Sequence, residues 1–324
     1  MLLEPIRWEN KKIVFIDQTE LPKRLKYIRC SDIDILCEAI KKLKIRGAPL
    51  IGVAASLGYA LQAINSKAKT LAGLKKDMKK AYIKLKNTRP TAVNLFWALR
   101  RMEEKFLGLS ATSRIDWVKK EILREAISIL NEDKEMCLNI GKNGARLIKN
   151  RDIILTHCNA GMLATAGYGT ALSVFYEAKK AGKKFKVYAD ETRPLMQGSR
   201  LTMWELMKNG VDATLICDDM AASTIKNKGV TKIIVGADRI AQNGDSANKI
   251  GTYGLAVMAR YHRIPFYIAA PTSTIDKNIK TGKSIPIEER KREELIYIGS
   301  KETAPKNAKV FNPAFDVTPA CLIT

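Results

Sequence analysis

Several segments of this chain end an apolar run with side chains able to move protons or hold a polar ligand. THCNAG (156–161) carries His157 and Cys158, and ADETRPLMQG (189–198) carries Asp190, Glu191, Arg193 and Gln197. Asp218 and Asp219 follow DATLIC, Asp238 follows IIVGA, and AAPTSTID (269–276) follows PFYI. Cys158 sits in a polar turn between a strand and an expected helix start. There the helix dipole and unpaired N–H groups favour a thiolate. Cys30, Cys37 and Cys137 read instead as small apolar core residues. Asp238 enters from a greasy wall, where desolvation raises a carboxyl pKa and equips it to donate a proton near neutrality. Asp218 and Asp219 read as loop acids that cap the following helix. His157 reads as a supporting group of its turn.

Two further segments suit a phosphate. KIRGAPLIGVAA (44–55) places Arg46 and Gly47 before Pro49 at a helix start, combining charge, close backbone approach and helix-terminal N–H groups. TRPTAVNLFWAL (88–99) repeats the design, with Arg89 before Pro90. GYGTA (167–171) lacks the third glycine of a dinucleotide fingerprint and falls inside a helical pattern, so helix packing is its expected use.

The elements that must position these groups come in two styles. KIVFI (12–16) and RLKYIRC (24–30) read as short strands, and a helix begins after Ser31 as N-cap. Helical patterns follow at about 49–64, 70–86, 91–106 and 115–149. Beyond Arg151, the apolar runs DIILT, KFKVYAD, DATLICD, TKIIVGAD and PFYIAAP alternate with helical segments at 162–181, 199–209, 220–228 and 251–262. Such alternation predicts a doubly wound parallel sheet covered on both faces. Ligands bind beyond the carboxyl ends of such strands, which is where the reactive residues gather. The expected division is 1–135, mainly helical with a small sheet, and 136–324, a doubly wound α/β domain.

Composition narrows the function classes. The 324 residues are 46% apolar, a globular balance, and carry a formal charge of +23. That charge favours anionic ligands, but no nucleic-acid-binding pattern accompanies it. Six cysteines without a CxxC pair read as reduced thiols. His157 and His262 are too far apart in sequence to suggest a metal site. MLLEPIRWENKK is not a signal peptide, and no window reads as a membrane span, so a cytoplasmic protein is expected.

Taken together, these segments resemble the methylthioribose-1-phosphate isomerase family. That family is related to ribose-1,5-bisphosphate isomerases and to the regulatory α, β and δ subunits of translation initiation factor 2B. The resemblance runs from IRGAPLIGVAA through RPTAVNLFWAL, THCNAG, YADETRPLMQGSRLTMWEL, GADRIAQNGDSANKIGTYGLAV and IPFYIAAPTSTID to IPIEER and NPAFDVTP. NLFWAL and DETRPLMQG point to the methylthioribose branch. Leu50 and Cys217-Asp218-Asp219 depart from the family pattern without touching the residues carried over. The resemblance implies a small sheet and helical bundle followed by a Rossmann-like domain, assembled as a homodimer through the α/β part. It implies Cys158 and Asp238 as the catalytic pair, Asp238 being the proton donor. It places substrate on Arg46, Gly47, Ala48, Arg89, Gln197, Asn248 and Lys249. The implied reaction is an aldose–ketose isomerisation of a small phosphorylated sugar in methionine salvage, with no metal, cofactor, nucleic acid or membrane. The alternatives are 5-deoxyribose 1-phosphate or ribose 1,5-bisphosphate as substrate, or a non-catalytic regulatory subunit.

Overall fold

The computed structural model describes residues 3–89, 92–110 and 114–324, and the chain clusters into two units. One comprises residues 1–139 and 161–169, the other 140–160 and 170–324.

The first unit opens with an antiparallel sheet of β1 (Ile6–Glu9), β2 (Lys12–Ile16) and β3 (Tyr27–Cys30). The sequence reading missed β1. Its two-residue turn, Asn10-Lys11, has both residues at positive φ, as a tight hairpin requires, but lacks the usual glycine. Helix α1 (Ile33–Lys41) begins one residue later than expected: Asp32, not Ser31, is the N-cap, and its side chain accepts from the Asp34 N–H. Helices α2 (Ala48–Asn65), α3 (Leu71–Lys86), α4 (Val93–Ser110) and α5 (Ile115–Gly144) follow the expected pattern. α2 is apolar and long enough to cross a bilayer, a property the sequence reading did not flag, yet 83% of it is buried inside the protein. Leu50, Val53, Ala54, Leu57 and Leu61 join it to Leu95, Leu99 and Met102 in one core. It is a core helix.

The second unit is built on a five-stranded parallel sheet. In chain order its strands are β4 (Ile153–Thr156), β5 (Lys186–Asp190), β6 (Ala213–Ile216), β7 (Lys232–Val235) and β10 (Phe266–Ile268). Their spatial order is β10-β7-β4-β5-β6, the Rossmann-like arrangement expected. Helices α6 (Ala171–Lys180), α7 (Met203–Lys208), α8 (Ala221–Lys228) and α9 (Thr252–His262) supply the crossovers. Leu155, Ile233, Val235 and Phe266 of the sheet pack with Ile225, Leu255, Ala256 and Ala259 of α8 and α9. A second, antiparallel sheet joins β8 (Arg239–Ile240), β9 (Ser246–Lys249) and β13 (Phe315–Thr318). Short α10 (Glu293–Ile296) leads into the β11 (Tyr297–Ile298) and β12 (Lys301–Glu302) ladder.

Two helical expectations need correction. The stretch 162–181 is a 3-10 turn at Met162–Ala164, irregular chain, and only then α6 from Ala171. Gly167 and Gly169 therefore lie outside any helix. The stretch 199–209 is a π-helical turn, Gly198–Thr202, running into α7.

Candidate active site

From β4 the chain steps to β5 and β6 on one side, then returns past β4 to β7 and β10 on the other. The winding reverses between β4 and β7, and in open α/β sheets the crevice beyond such a reversal is where ligands bind. His157-Cys158 directly follow β4, and Gly236-Ala237-Asp238 directly follow β7. The topology therefore sets the two residues singled out for chemistry at the two lips of one switch point.

Cys158 is half-buried and lies in the left-handed region, with φ +64°. A non-glycine residue there costs about 1–2 kcal/mol, so the surroundings must impose it. Its N–H donates to Thr192 Oγ1 at 2.9 Å, and its carbonyl accepts from Thr202 Oγ1 at 2.5 Å. Thr192 is itself at φ +64°, held by donation from its N–H to Asp218 and from its hydroxyl to the Asp190 carbonyl. Gln197 Nε2 donates to the Cys158 sulfur at 3.3 Å, which brings together two of the sequence-named residues. The Gln197 amide oxygen is buried without a hydrogen-bond partner among the described residues. Gly198 follows, and a Cβ there would lie 1.7 Å from the Asp190 carbonyl oxygen, so only glycine lets the Gln197 loop close on β5. No α-helix starts at Cys158, since the next begins at Ala171. The expectation of a helix dipole acting on this thiol from its own following helix is therefore withdrawn. Threonine hydroxyls and a glutamine amide hold the turn instead.

His157, 2% exposed, sets Nδ1 2.9 Å from Asp190 Oδ2 and Nε2 2.8 Å from the Ile250 carbonyl. Burial alone would push this imidazole down. The hydrogen bond and charge of Asp190, the charge of Asp218 and the Ile250 carbonyl outweigh it and hold the imidazole above its ordinary pKa. His157, Asp190 and Asp218 approach one another closely enough to suggest a metal-ligand cluster, which the sequence spacing did not show. Apart from Asp190 Oδ1, their ligand atoms already make hydrogen bonds. Asp218 accepts from the N–H groups of Thr192 and Arg193 rather than capping α8, as the sequence suggested, and the ring bridges Asp190 and Ile250.

Asp238 is half-buried, and its N–H donates to the Ala247 carbonyl at 2.9 Å, where β8 meets β9. This places it beside Asn248 and Lys249 of β9. Asn248 Nδ2 donates to Thr252 Oγ1 at 3.0 Å. Lys249 Nζ donates to the Ala314 carbonyl at 2.7 Å and lies 4.6 Å from the Phe315 ring centroid. In the first unit, Gly47 is the N-cap of α2 at φ +93°, and Ala48 opens the helix. A Cβ on Gly47 would fall 2.5 Å from the Ala164 Cα, so its missing side chain serves packing against the 161–169 segment. Arg46 and Arg89 are half-buried; Pro90, paired with Arg89 in the sequence reading, lies outside the described residues.

Residues 44–324 match the model of the initiation factor 2 subunit family. The chain belongs to that family. Within it, the chain is 53% identical over 99% of its length to a methylthioribose-1-phosphate isomerase of Heliobacterium modesticaldum, covering 93% of that protein. A 5-deoxyribose 1-phosphate isomerase of Moorella thermoacetica is 51% identical, with 99% of this chain and 92% of that protein covered. Among solved structures, 5-methylthioribose 1-phosphate isomerase from Pyrococcus horikoshii OT3 superposes with a TM-score of 0.91 at 47% identity, covering 99% and 89% of the two chains. A structure titled translation initiation factor eIF-2B, subunit delta, from A. fulgidus gives 0.87 at 47% identity, covering 99% and 93%. By its place among the methylthioribose-1-phosphate isomerases, this family member is an isomerase.

Sequence reasoning missed the residues that build the turns. Thr192, Thr202, Glu205 and Asp316 lie within the segments that carry the resemblance but were given no role there. Glu205 on α7 is fully buried, accepting from Asn159 and from the Tyr176 hydroxyl, and so ties the residue after Cys158 to α6 and α7. An acid inside a largely apolar helical pattern, MWELMK, hints at it.

Proposed function

We propose that this protein converts 5-methylthioribose 1-phosphate to 5-methylthioribulose 1-phosphate in methionine salvage, as a cytoplasmic homodimer. The observation that carries the reading is the switch point of the parallel sheet, flanked by Cys158 and Asp238, in a chain 53% identical to an isomerase of that name. In an aldose 1-phosphate the anomeric oxygen is esterified, so the ring does not open unaided. Asp238 protonates the ring oxygen, the C1–ring oxygen bond breaks, and hydrogen moves from C2 to C1 as the C2 hydroxyl becomes the ketone. The proton that hydroxyl loses returns to the Asp238 carboxylate, directly or through water, and restores the acid. Cys158 acts at C2, as base or as stabiliser of the transition state, with Gln197 orienting its sulfur. Arg46, Gly47, Ala48 and Arg89 are assigned to the phosphate, and Gln197, Asn248 and Lys249 to the sugar. Charge and helix-terminal N–H groups suit a phosphate dianion.

The Moorella relative favours a second substrate, 5-deoxyribose 1-phosphate. Methylthio and methyl differ by one sulfur, and a pocket distinguishes groups of that size by only about 1–3 kcal/mol. We expect kcat/KM for methylthioribose 1-phosphate to exceed that for 5-deoxyribose 1-phosphate by no more than about 200-fold. Ribose 1,5-bisphosphate should be the poorest of the three. A preference for the bisphosphate would overturn the substrate, and no turnover of any would overturn the reaction assigned to this site.

A further inference from the structure

We propose that His157 and Asp190 are positioning residues for the reaction: a buried imidazolium–carboxylate pair that locks the Cys158 turn to the strand bearing Asn248 and Lys249. The proposal rests on the reading of those three residues as parts of the site. His157 directly precedes Cys158, and Ile250, whose carbonyl meets the ring, directly follows Lys249. One imidazole thus bridges two segments at a single residue's remove from each.

The hydrogen bonds require one proton at each ring nitrogen contact. The Ile250 carbonyl can only accept, so Nε2 carries a proton. Nδ1 lies 2.9 Å from Asp190 Oδ2, a contact that needs one proton between them. Burial pushes the Asp190 carboxyl up, but the charges of Asp190 and Asp218 favour the imidazolium, and in the proposed pair that proton sits on the ring. Asp190 Oδ1 is buried with no hydrogen-bond partner among the described residues, which leaves the ring as the main group answering its charge. Three carboxyl groups act on the ring: Asp190 from β5, Asp218 from beyond β6, and Asp316 from β13. Asp316 also accepts from the Gly251 and Tyr253 N–H groups at 2.8 and 3.0 Å, holding the chain that presents the Ile250 carbonyl. When the shared proton leaves at high pH, one of the two ring contacts becomes acceptor against acceptor and the bridge opens.

The test combines steady-state kinetics on methylthioribose 1-phosphate, from about pH 6 to pH 10, with 15N NMR of histidine-labelled protein in a His262→Gln background, which leaves His157 as the single histidine. In that background His157 should show two ring N–H protons at neutral pH. Asp190→Asn should lower kcat about 10- to 100-fold with KM within about threefold, and move the alkaline limb of kcat down by about one pH unit or more. His157→Gln, which can serve only one acceptor well, should lower kcat comparably and abolish that limb. A single ring proton at neutral pH overturns the proposal. So does an unmoved limb in Asp190→Asn, with the activity loss matched by loss of folded protein. If the wild type turns over none of the sugar phosphates, the activity reading fails, and the ring-proton count still decides the state of the pair.

Discussion

Asp133 on α5 and Asp190 at the end of β5 are both almost fully buried, and the protein gives them different partners. Asp133, in the first unit, faces the Ala166 N–H at 2.7 Å and the Cys137 thiol. With no ion-paired cation among the described residues, burial pushes its carboxyl up to about 6, and burial with the nearby Asp133 charge pushes the Cys137 thiol well above its ordinary range. In the second unit, burial pushes the Asp190 carboxyl up as well, but there the hydrogen bond and charge of His157 pull against it. The first arrangement anchors a loop and leaves a latent electrostatic cost near neutrality. The second stores a proton beside the reactive turn. A buried acid is thus a scaffold part or a functional part according to its partner, which a sequence does not show.

Breaking the second arrangement should have the larger effect. His157→Leu leaves the Asp190 carboxyl and the Ile250 carbonyl buried without their donor, and should cost about 3–5 kcal/mol in denaturant unfolding. A loss below about 1 kcal/mol would show that Asp190 is neutral in its own right.

The first arrangement should respond to pH. The folded pKa of Asp133 lies above the unfolded value, so ionisation opposes folding: the penalty is fully present above about pH 6 and is relieved as pH falls towards 4. The shift corresponds to at most about 3 kcal/mol. Asp133→Asn keeps an oxygen for the Ala166 N–H and removes the charge. It should therefore stabilise the protein by on the order of 1–2 kcal/mol at pH 7 and by little at pH 4. An equal effect at both pH values would mean that packing, not charge, governs this site.

How far all this is legible in the sequence depends on the length scale of the signal. The parallel strands were readable because each is a near-continuous apolar run between helical segments, and the rim residues because they follow those runs. The β8-β9-β13 sheet, which places Asp238 beside Asn248, was not readable. Its strands are two to four residues long, and β13 lies 66 positions after β9. The left-handed Cys158 and Thr192 were equally hidden, since nothing local demands that conformation. It is imposed by hydroxyls and carboxylates from distant segments. The irregular stretch between Met162 and Ala171 was read as helix because its apolar residues fit a helical period, although they serve a loop anchored by Asp133 and Gln18.

The central claim is that the two lips of the β4/β7 switch point carry the chemistry, and turnover of purified Asp238→Asn tests it most directly. Assayed with methylthioribose 1-phosphate beside the wild type and Cys158→Ser, it should lose nearly all kcat while substrate binding stays mostly intact, because the missing proton is needed only along the reaction path. Cys158→Ser should lose at least about 100-fold. Near wild-type turnover in both variants would contradict the account.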